Sequence, residues 1–217
     1  MSSVFIYGGT FDPVHNGHIN TAQNVYNRFK PDEFLFIPCK QPVLKSKNQA
    51  SAKHRLAMLE RALESLQPKQ AFSICTYELQ SKKPSYMVHT LEYLQEIYPE
   101  NTVFILIMGT DTFLEFHKWH QWKKIIELCN ILLLERADNP LSNIPLPLQD
   151  LMSRHFTNTL DTLCITPSGN ISLFNAGQYS ESSTEIRKRL RHDKSINALC
   201  PSSVAEYISQ HDLYRDV

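Results

Sequence analysis

The chain has 217 residues, 42% of them hydrophobic, and its 22 basic side chains balance 22 acidic ones. A chain of this length buries roughly 70% of its unfolded surface as one domain, so we expect a single core across residues 1–217. The balanced charge excludes a global field that recruits nucleic acid or an acidic membrane, and we expect neither partner.

Localisation is predicted from the cysteines and the apolar runs. The five cysteines are dispersed and contain no C-x-x-C pair, which argues against a disulfide framework or a zinc site. The longest apolar run, Val103–Met108, is far shorter than a membrane span, and no signal-peptide pattern is present. We therefore expect a cytoplasmic protein, either a monomer or a homodimer.

Strand-like and helix-like segments alternate along the chain, which predicts an α/β fold with a Rossmann-like, doubly wound parallel sheet. Two of the strand segments are apolar on both faces, as buried parallel strands are. Strands are predicted at Val4–Tyr7, Glu33–Pro38, Phe72–Thr76, Val103–Met108 and Ile131–Leu134. Helices are predicted between them, including Ala52–Ser65 and Ser85–Tyr98, with Ser85 as the N-cap of the latter.

The first predicted strand runs into the string GGTFDPVHNGH, which begins at Gly8. Gly8 and Gly9 allow positive φ and a close approach of a ligand to the backbone, and Pro13 stiffens the turn. His15 and His18 fall at the start of the following helix, where partial positive charge already accumulates. Two potential cations at a helix N-terminus indicate a site for an anion such as phosphate.

The stretch 137–160 interrupts the alternation of strands and helices. It holds three prolines, and we predict a surface insertion that forms a loop or a short helix. The segments Thr162–Thr166 and Ile171–Phe174 then flank PSGN at 167–170, which is typical of a hairpin turn.

A second candidate phosphate contact lies near the end of the sequence. Ser182 and Glu185 have the spacing of a capping box at the start of a helix. Arg187 would then lie near the first turn of that helix, where the dipole disfavours a cation. The hydroxyls of Ser183 and Thr184 point to the same end, and a bound anion would remove the mismatch. The basic residues that follow are interpreted as a solvated face.

Both strings resemble signatures of the nucleotidyltransferases related to class I aminoacyl-tRNA synthetases, the HxGH type. The opening string is most similar to that of the bacterial nicotinate-nucleotide adenylyltransferases. This resemblance implies an enzyme that joins ATP and nicotinate mononucleotide, with Mg²⁺, to give nicotinate adenine dinucleotide and pyrophosphate in NAD biosynthesis. It implies catalytic roles on the phosphates for His15, His18, Lys45 and Arg187. It implies nucleotide binding by Gly8, Gly9, Thr10, Phe11, Asp12, Asp111, Ser183 and Thr184.

The resemblance also implies an acceptor side that includes Ser85, Met87, Trp119 and Arg136. The segment SYMVHTL, which begins at Ser85, is similar to the family's SYTxDTL, but Met87 replaces threonine and His89 replaces aspartate. Trp119 resembles the tryptophan that stacks on the pyridine ring in that family. Backbone donors survive such replacements, whereas side-chain contacts do not.

Several alternatives stay open at the level of sequence. Asp111 is equally well explained as a helix cap, and Trp119 as a core tryptophan. His117 and His120 have metal-like spacing without a nearby cysteine or carboxylate cluster, and they are interpreted as solvated. Leu44 stands where the family often has histidine. The same ATP chemistry on nicotinamide mononucleotide or phosphopantetheine, and a nucleotide-binding regulator without catalysis, are the alternative functions.

Overall fold

A computed structural model describes residues 1–41, 50–135 and 141–215. One parallel sheet is formed by β1 Ser2–Gly9, β2 Glu33–Pro38, β3 Phe72–Ile74, β4 Thr102–Gly109, β5 Asn130–Leu134 and β6 Ile171–Phe174. The spatial order of the 6-stranded sheet is β3-β2-β1-β4-β5-β6. The direction of winding therefore reverses between β1 and β4, which is the point where open α/β sheets bind ligands.

Helices cover both faces of this sheet. They are α1 Asn16–Phe29, α2 Ala52–Leu63, α3 Tyr77–Gln80, α4 Met87–Ile97, α5 Thr110–Leu114, α6 Trp122–Leu128, α7 Leu146–His155, α8 Thr162–Ile165, α9 Ser183–Arg191 and α10 Ser202–Gln210. Short 3₁₀ turns occupy Lys69–Ala71 and Phe116–Lys118. None of the helices in the described ranges is both long and apolar enough to cross a membrane.

Alternate side chains of each strand enter two separate cores. Phe5 of β1 packs in the first core, with apolar side chains of α1, α2, α9 and α10. Val4 and Ile6 of the same strand pack in the second core, with apolar side chains of α4, α6 and α7. Because both faces are covered, the central strands are apolar throughout, and this pattern is why they could be predicted from the sequence.

The predicted parallel sheet is confirmed, and each predicted strand is present with ends that differ by no more than two residues. The predicted N-cap of α4 is wrong, because the helix begins at Met87 and Tyr86 precedes it. The hydroxyl of Ser85 instead accepts a hydrogen bond from the Lys40 backbone N–H at 3.1 Å. Ser85 therefore joins the start of α4 to the end of β2.

The predicted hairpin is also wrong. Residues 162–165 form α8, and β6 adds to β5 as a parallel strand with Ile131 opposite Ile171. The local turn chemistry is overridden by Asn130, a fully buried side chain at the start of β5. Its amide nitrogen donates to the carbonyls of Leu163 at 2.9 Å and Thr166 at 2.7 Å.

The same Asn130 side chain also orders the segment that leads into β6. Its carbonyl oxygen accepts the backbone N–H of Asn170 at 2.8 Å. These contacts fix the approach of the chain to the parallel edge of β5 and satisfy backbone groups that would otherwise be buried unpaired. One polar side chain thus specifies how the last strand joins the sheet.

Part of the predicted insertion at 137–160 is helical. Residues 137–140 lie outside the described ranges, and α7 occupies Leu146–His155. Leu148 and Leu151 of α7 are buried in the second core, while Leu146 is 79% exposed. This helix therefore covers one face of the sheet.

Asn130→Leu tests this account of the parallel edge. Leucine keeps the branched shape of asparagine, although it is larger, and leaves two carbonyls and one N–H without their partner, so we expect a loss of about 2–4 kcal/mol in the free energy of unfolding. Urea denaturation measures it. The exposed Asn27→Leu is the control and should stay within about 0.5 kcal/mol of the wild type. An equal effect of the two substitutions would contradict the assignment.

Candidate active site

The turn between β1 and α1 is buried from Phe11 to His15. Positive φ falls on Phe11, at 48°, and neither Gly8 nor Gly9 has it. The two glycines extend β1 and are required for space. A Cβ on Gly9 would lie 2.9 Å from Cζ of Phe11, and a Cβ on Gly8 would lie 3.0 Å from Cε of Met87. The sequence prediction that these glycines provide positive φ is therefore wrong, and the close approach of a ligand to their backbone stays a prediction.

Arg55 of α2 ties this turn to the neighbouring strand. Its guanidinium is completely buried and donates to the carbonyl of Thr10 at 2.7 Å and to that of Lys40 at 3.0 Å. The sequence offered a signal for this role. Arg55 occupies the same helical stripe as Met58 and Leu59, where an apolar side chain would be expected.

The N-terminus of α9 docks on the same turn. Ser182 caps the helix, as predicted. The hydroxyl of Ser183 donates to the carbonyl of Pro13 at 2.8 Å, and the guanidinium of Arg187 donates to the carbonyl of Asp12 at 2.6 Å. The two strings that the sequence singled out are thereby in direct contact across 175 positions of the chain.

Arg187 retains donors for a ligand. A guanidinium carries five N–H groups. Two are used in contacts with described residues, one to Asp12 and one to the hydroxyl of Thr184 at 3.3 Å. Glu185 completes no capping box, because its carboxylate pairs with Arg189 at 3.0 Å. Arg189 is therefore paired on the helix surface, where the sequence predicted only a solvated face.

The two imidazoles of the opening string lie against one another at the start of α1. Their ring centroids are 3.7 Å apart, and the backbone N–H of His15 donates to Nδ1 of His18 at 3.3 Å. His15 precedes the helix and is 4% exposed, and His18 lies edge-on to Phe11. A Cβ on Gly17 would lie 3.0 Å from Nδ1 of His15. Gly17 therefore leaves the space that the His15 ring occupies.

A cleft opens beside these rings at the carboxyl ends of β1, β4 and β5. It is lined by Tyr7, Gly17, Thr21, Gly109, Leu134, Glu135, Ala176, Gly177 and Tyr179. Asp111 lies exposed in the first turn of α5, next to this edge. A Cβ on Gly109 would collide with its carboxylate oxygen. The cleft thus lies at the reversal in strand order, as expected for a nucleotide-binding α/β sheet.

The predicted acceptor residues lie on the opposite side of β1. Met87 is buried at the start of α4, with its methyl group against Gly8. Trp119 is half-buried and lies edge-on to Phe116, with 5.5 Å between the ring centroids. Lys45, Leu44 and Arg136 lie outside the described residues.

A cluster of three aromatic rings joins the start of α4 to the turn that carries Trp119. His120 stacks on Tyr86, with centroids 4.4 Å apart, and both rings meet His89 edge-on. His120 is exposed, as predicted. The same prediction is wrong for His117, which is half-buried and whose Nδ1 has no hydrogen-bond partner among the described residues.

Glu78 of α3 contacts the SYMVHTL segment, residues 85–91, and sequence analysis did not predict this contact. Its carboxylate is 4% exposed and accepts from the hydroxyl of Thr90 at 2.8 Å and from that of Ser85. Burial raises the pKa of Glu78, and the two hydroxyl donors offset part of this effect. Both ends of the SYMVHTL segment are thus held by one buried acid.

The parallel sheet, the reversal in strand order and the paired glycine–histidine and serine–arginine strings define a nucleotidyltransferase. The sequence matches the Cytidylyltransferase-like family over residues 6–189. A probable nicotinate-nucleotide adenylyltransferase of Legionella pneumophila (strain Paris) is 39% identical over 99% of this chain and 100% of its own length. Another of that name, from Hydrogenovibrio crunogenus, is 36% identical over 97% of this chain and 96% of its own. The chain therefore belongs to the cytidylyltransferase-like family and, within it, to the nicotinate-nucleotide adenylyltransferases.

The fold is shared with a solved structure of low sequence identity. This is the nicotinic acid mononucleotide adenylyltransferase of Plasmodium falciparum, complexed with NaAD, which is 20% identical. Its TM-score to this chain is 0.73, over 99% of this chain and 98% of that one. The likeness covers the whole sheet and its helices.

Few candidate metal ligands lie together in the described part of the chain. Among the described residues, no group of three or more His, Cys, Asp or Glu side chains is placed to hold a metal ion. The carboxylate of Asp12 is engaged within the fold, because its Oδ1 accepts the backbone N–H of Ala50 at 3.1 Å. A divalent cation carried by phosphate oxygens fits this donor set, since such a cation needs few protein ligands.

Glu78→Gln tests the buried acid. The raised pKa of Glu78 means that the folded state holds a proton that the unfolded chain releases above its ordinary pKa of 4.5. The contribution of Glu78 to stability is therefore lost as pH rises from 4.5 through the folded value. Glutamine does not titrate, so the free energy of unfolding of the variant, minus that of the wild type, should increase with pH over this range.

Urea denaturation between pH 4.5 and 8 measures this difference. The exposed Glu64→Gln is the matched control for the loss of one carboxylate, and the increase with pH should be larger for Glu78→Gln than for Glu64→Gln. A difference for Glu78→Gln that stays flat would contradict the account.

Proposed function

We propose that the protein transfers the adenylyl group of ATP to the 5′-phosphate of nicotinate mononucleotide, producing nicotinate adenine dinucleotide and pyrophosphate, a step of NAD biosynthesis. The observation that carries this proposal is the docking of Ser183 and Arg187 on the carbonyls of Pro13 and Asp12. It brings two phosphate-binding strings into one site. The names of the full-length relatives at 36% and 39% identity support the same activity.

Electrostatics favours a polyphosphate at this site. The N-termini of α1 and α9 meet at the turn, and each carries partial positive charge. The guanidinium of Arg187 and the rings of His15 and His18 add donors at the same place. A chain whose charges balance overall thus gathers positive potential in one small region, which suits a highly charged substrate.

The proposed reaction is an in-line displacement at the α-phosphorus of ATP. The attacking oxygen belongs to the acceptor's phosphate, which is already anionic, so neither a general base nor a covalent intermediate is needed. Catalysis then consists of alignment and neutralisation of the developing charge. We assign His18 to the α- and β-phosphates, His15 to the phosphate edge, and Arg187 to the β- and γ-phosphates as a forked donor.

Backbone groups and neighbouring side chains complete the proposed nucleotide site. We assign the backbone of residues 8–12 and the hydroxyls of Ser183 and Thr184 to the phosphates, and Asp111 to the ribose. Lys45 is proposed to neutralise phosphate. Mg²⁺ is proposed to enter with ATP and to supply further neutralisation when bound to the phosphate oxygens.

The acceptor is proposed to bind between the start of α4 and the turn that carries Trp119. The indole of Trp119 would stack on the pyridine ring, a contact worth roughly 0.5–1.5 kcal/mol beyond area burial. Ser85, Met87 and Arg136 are assigned to the same side. The Met87 methyl group contacts Gly8, which supports this arrangement. The contact joins the start of α4 directly to β1, the strand that leads into residues 10–15, which we call the phosphate turn.

His18→Ala tests the proposed role of the second imidazole. We expect turnover to fall roughly 10²–10³-fold, the scale for loss of one preorganised donor, with the fold intact. Pyrophosphate release measures turnover, and circular dichroism measures the fold. The exposed His192→Ala, beyond the far end of α9, is the control and should keep wild-type turnover. Near-normal turnover of the His18 variant would refute the assignment.

A paired acceptor assay tests the substrate. Pyrophosphate release from Mg-ATP should be faster with nicotinate mononucleotide than with nicotinamide mononucleotide, because a carboxylate and an amide differ by one charge. Faster release with the amide would assign the second acceptor. ATP binding without release on either mononucleotide would favour a regulator that has lost catalysis.

A further inference from the structure

A tyrosine beyond α10 reaches the phosphate turn. The hydroxyl of Tyr214 donates to Oδ1 of Asp12 at 2.7 Å, across 202 positions of the chain. Both side chains are buried, at 9% and 4% exposure. The contact is therefore shielded from water, where a hydrogen bond to a charged group is stronger than on the surface.

Asp12 is the residue on which several parts of the chain converge. Its carboxylate oxygen also accepts the backbone N–H of Ala50 at 3.1 Å, just before α2. Its backbone carbonyl accepts the guanidinium of Arg187 at 2.6 Å. The position of this one residue thus determines where Arg187 lies relative to the turn.

Tyr214 is suited to be a permanent donor. Burial raises its pKa, and the nearby charge of Asp12 raises it further, while Arg187 and Arg55 oppose the effect. The phenol therefore keeps its proton throughout the neutral range. A donor that keeps its proton across this range holds the carboxylate in one orientation, whereas an imidazole in its place would titrate there.

We infer that Tyr214 is a positioning residue for adenylyl transfer, which acts through Asp12 to hold the phosphate turn and Arg187 in register. The inference rests on the proposed function. Tyr214 does not itself contact the substrate in this scheme. Its removal shifts the donors, and displacement of a catalytic group by about 1 Å costs roughly 10²-fold in rate.

Tyr214→Phe removes the hydroxyl and keeps the ring. We expect kcat to fall roughly 10–100-fold with little change in KM for either substrate, because alignment in the transition state is lost while ground-state binding is kept. Tyr207→Phe is the matched control. It also removes one buried hydroxyl of the same region, which contacts Nδ1 of His54 at 3.0 Å, and it should change kcat less than about 2-fold.

A readout that does not require turnover separates this inference from the proposed function. The imidazole resonances of His15 and His18 should shift in Tyr214→Phe and not in Tyr207→Phe. In an Asp12→Ala background, which removes the acceptor, the effect of Tyr214→Phe on kcat should largely disappear, because the two residues act as one unit.

Each outcome decides the inference. Wild-type kcat in Tyr214→Phe, an equal loss in both phenylalanine variants, or an unchanged effect in the Asp12→Ala background would overturn it. If the wild type itself releases no pyrophosphate, the proposed function fails, and the histidine resonances alone decide whether Tyr214 positions the turn.

Discussion

The backbone carbonyls between β1 and α1 are the constraint on which this structure depends. The turn is buried, yet its carbonyls cannot pair with one another as they would in a helix or a sheet. Side chains from distant elements supply the donors: Arg55 to Thr10, Arg187 to Asp12, and Ser183 to Pro13. The elements that surround the turn are thus held by the hydrogen bonds that its carbonyls accept, as well as by apolar packing.

The same constraint brings two guanidinium groups to the turn of a chain whose charges balance overall. Arg55 and Arg187 each donate to one of its carbonyls, so each places a positive charge there. Arg55 has a structural role, since it is completely buried and its guanidinium donates to two backbone carbonyls. Arg187 is half-buried, and it supports the turn from nearer the surface. In the proposed scheme the same guanidinium also neutralises phosphate, so one kind of residue supports the fold and the proposed chemistry.

The sequence predicted the elements that depend on local patterns. The parallel strands, and the two strings proposed to bind phosphate, could be recognised because apolar runs, glycines and helix caps have signatures over short distances. The hairpin at 162–174 failed, because Asn130 satisfies the backbone there from a strand more than thirty positions away. The roles of Glu78 and Tyr214 could not be predicted for the same reason, since each depends on a partner that only the folded sheet brings near. Arg55 differs, because a charged residue in an apolar helical stripe is a signal in the sequence, although the sequence does not identify the carbonyls that it contacts. The proposed roles of the site residues stay predictions.

The contact between Tyr214 and Asp12 also has a consequence for synthesis. The turn leaves the ribosome early, but its partners Arg187 and Tyr214 are translated 175 and 202 positions after the residue that they hold. A nascent chain that already contains the first strands of the sheet therefore still lacks the supports of its phosphate turn. Closing contacts of such long sequence separation is also slow. A product terminated before α9 would contain the sequence of all six described strands and would lack Arg187 and Tyr214, which support the turn.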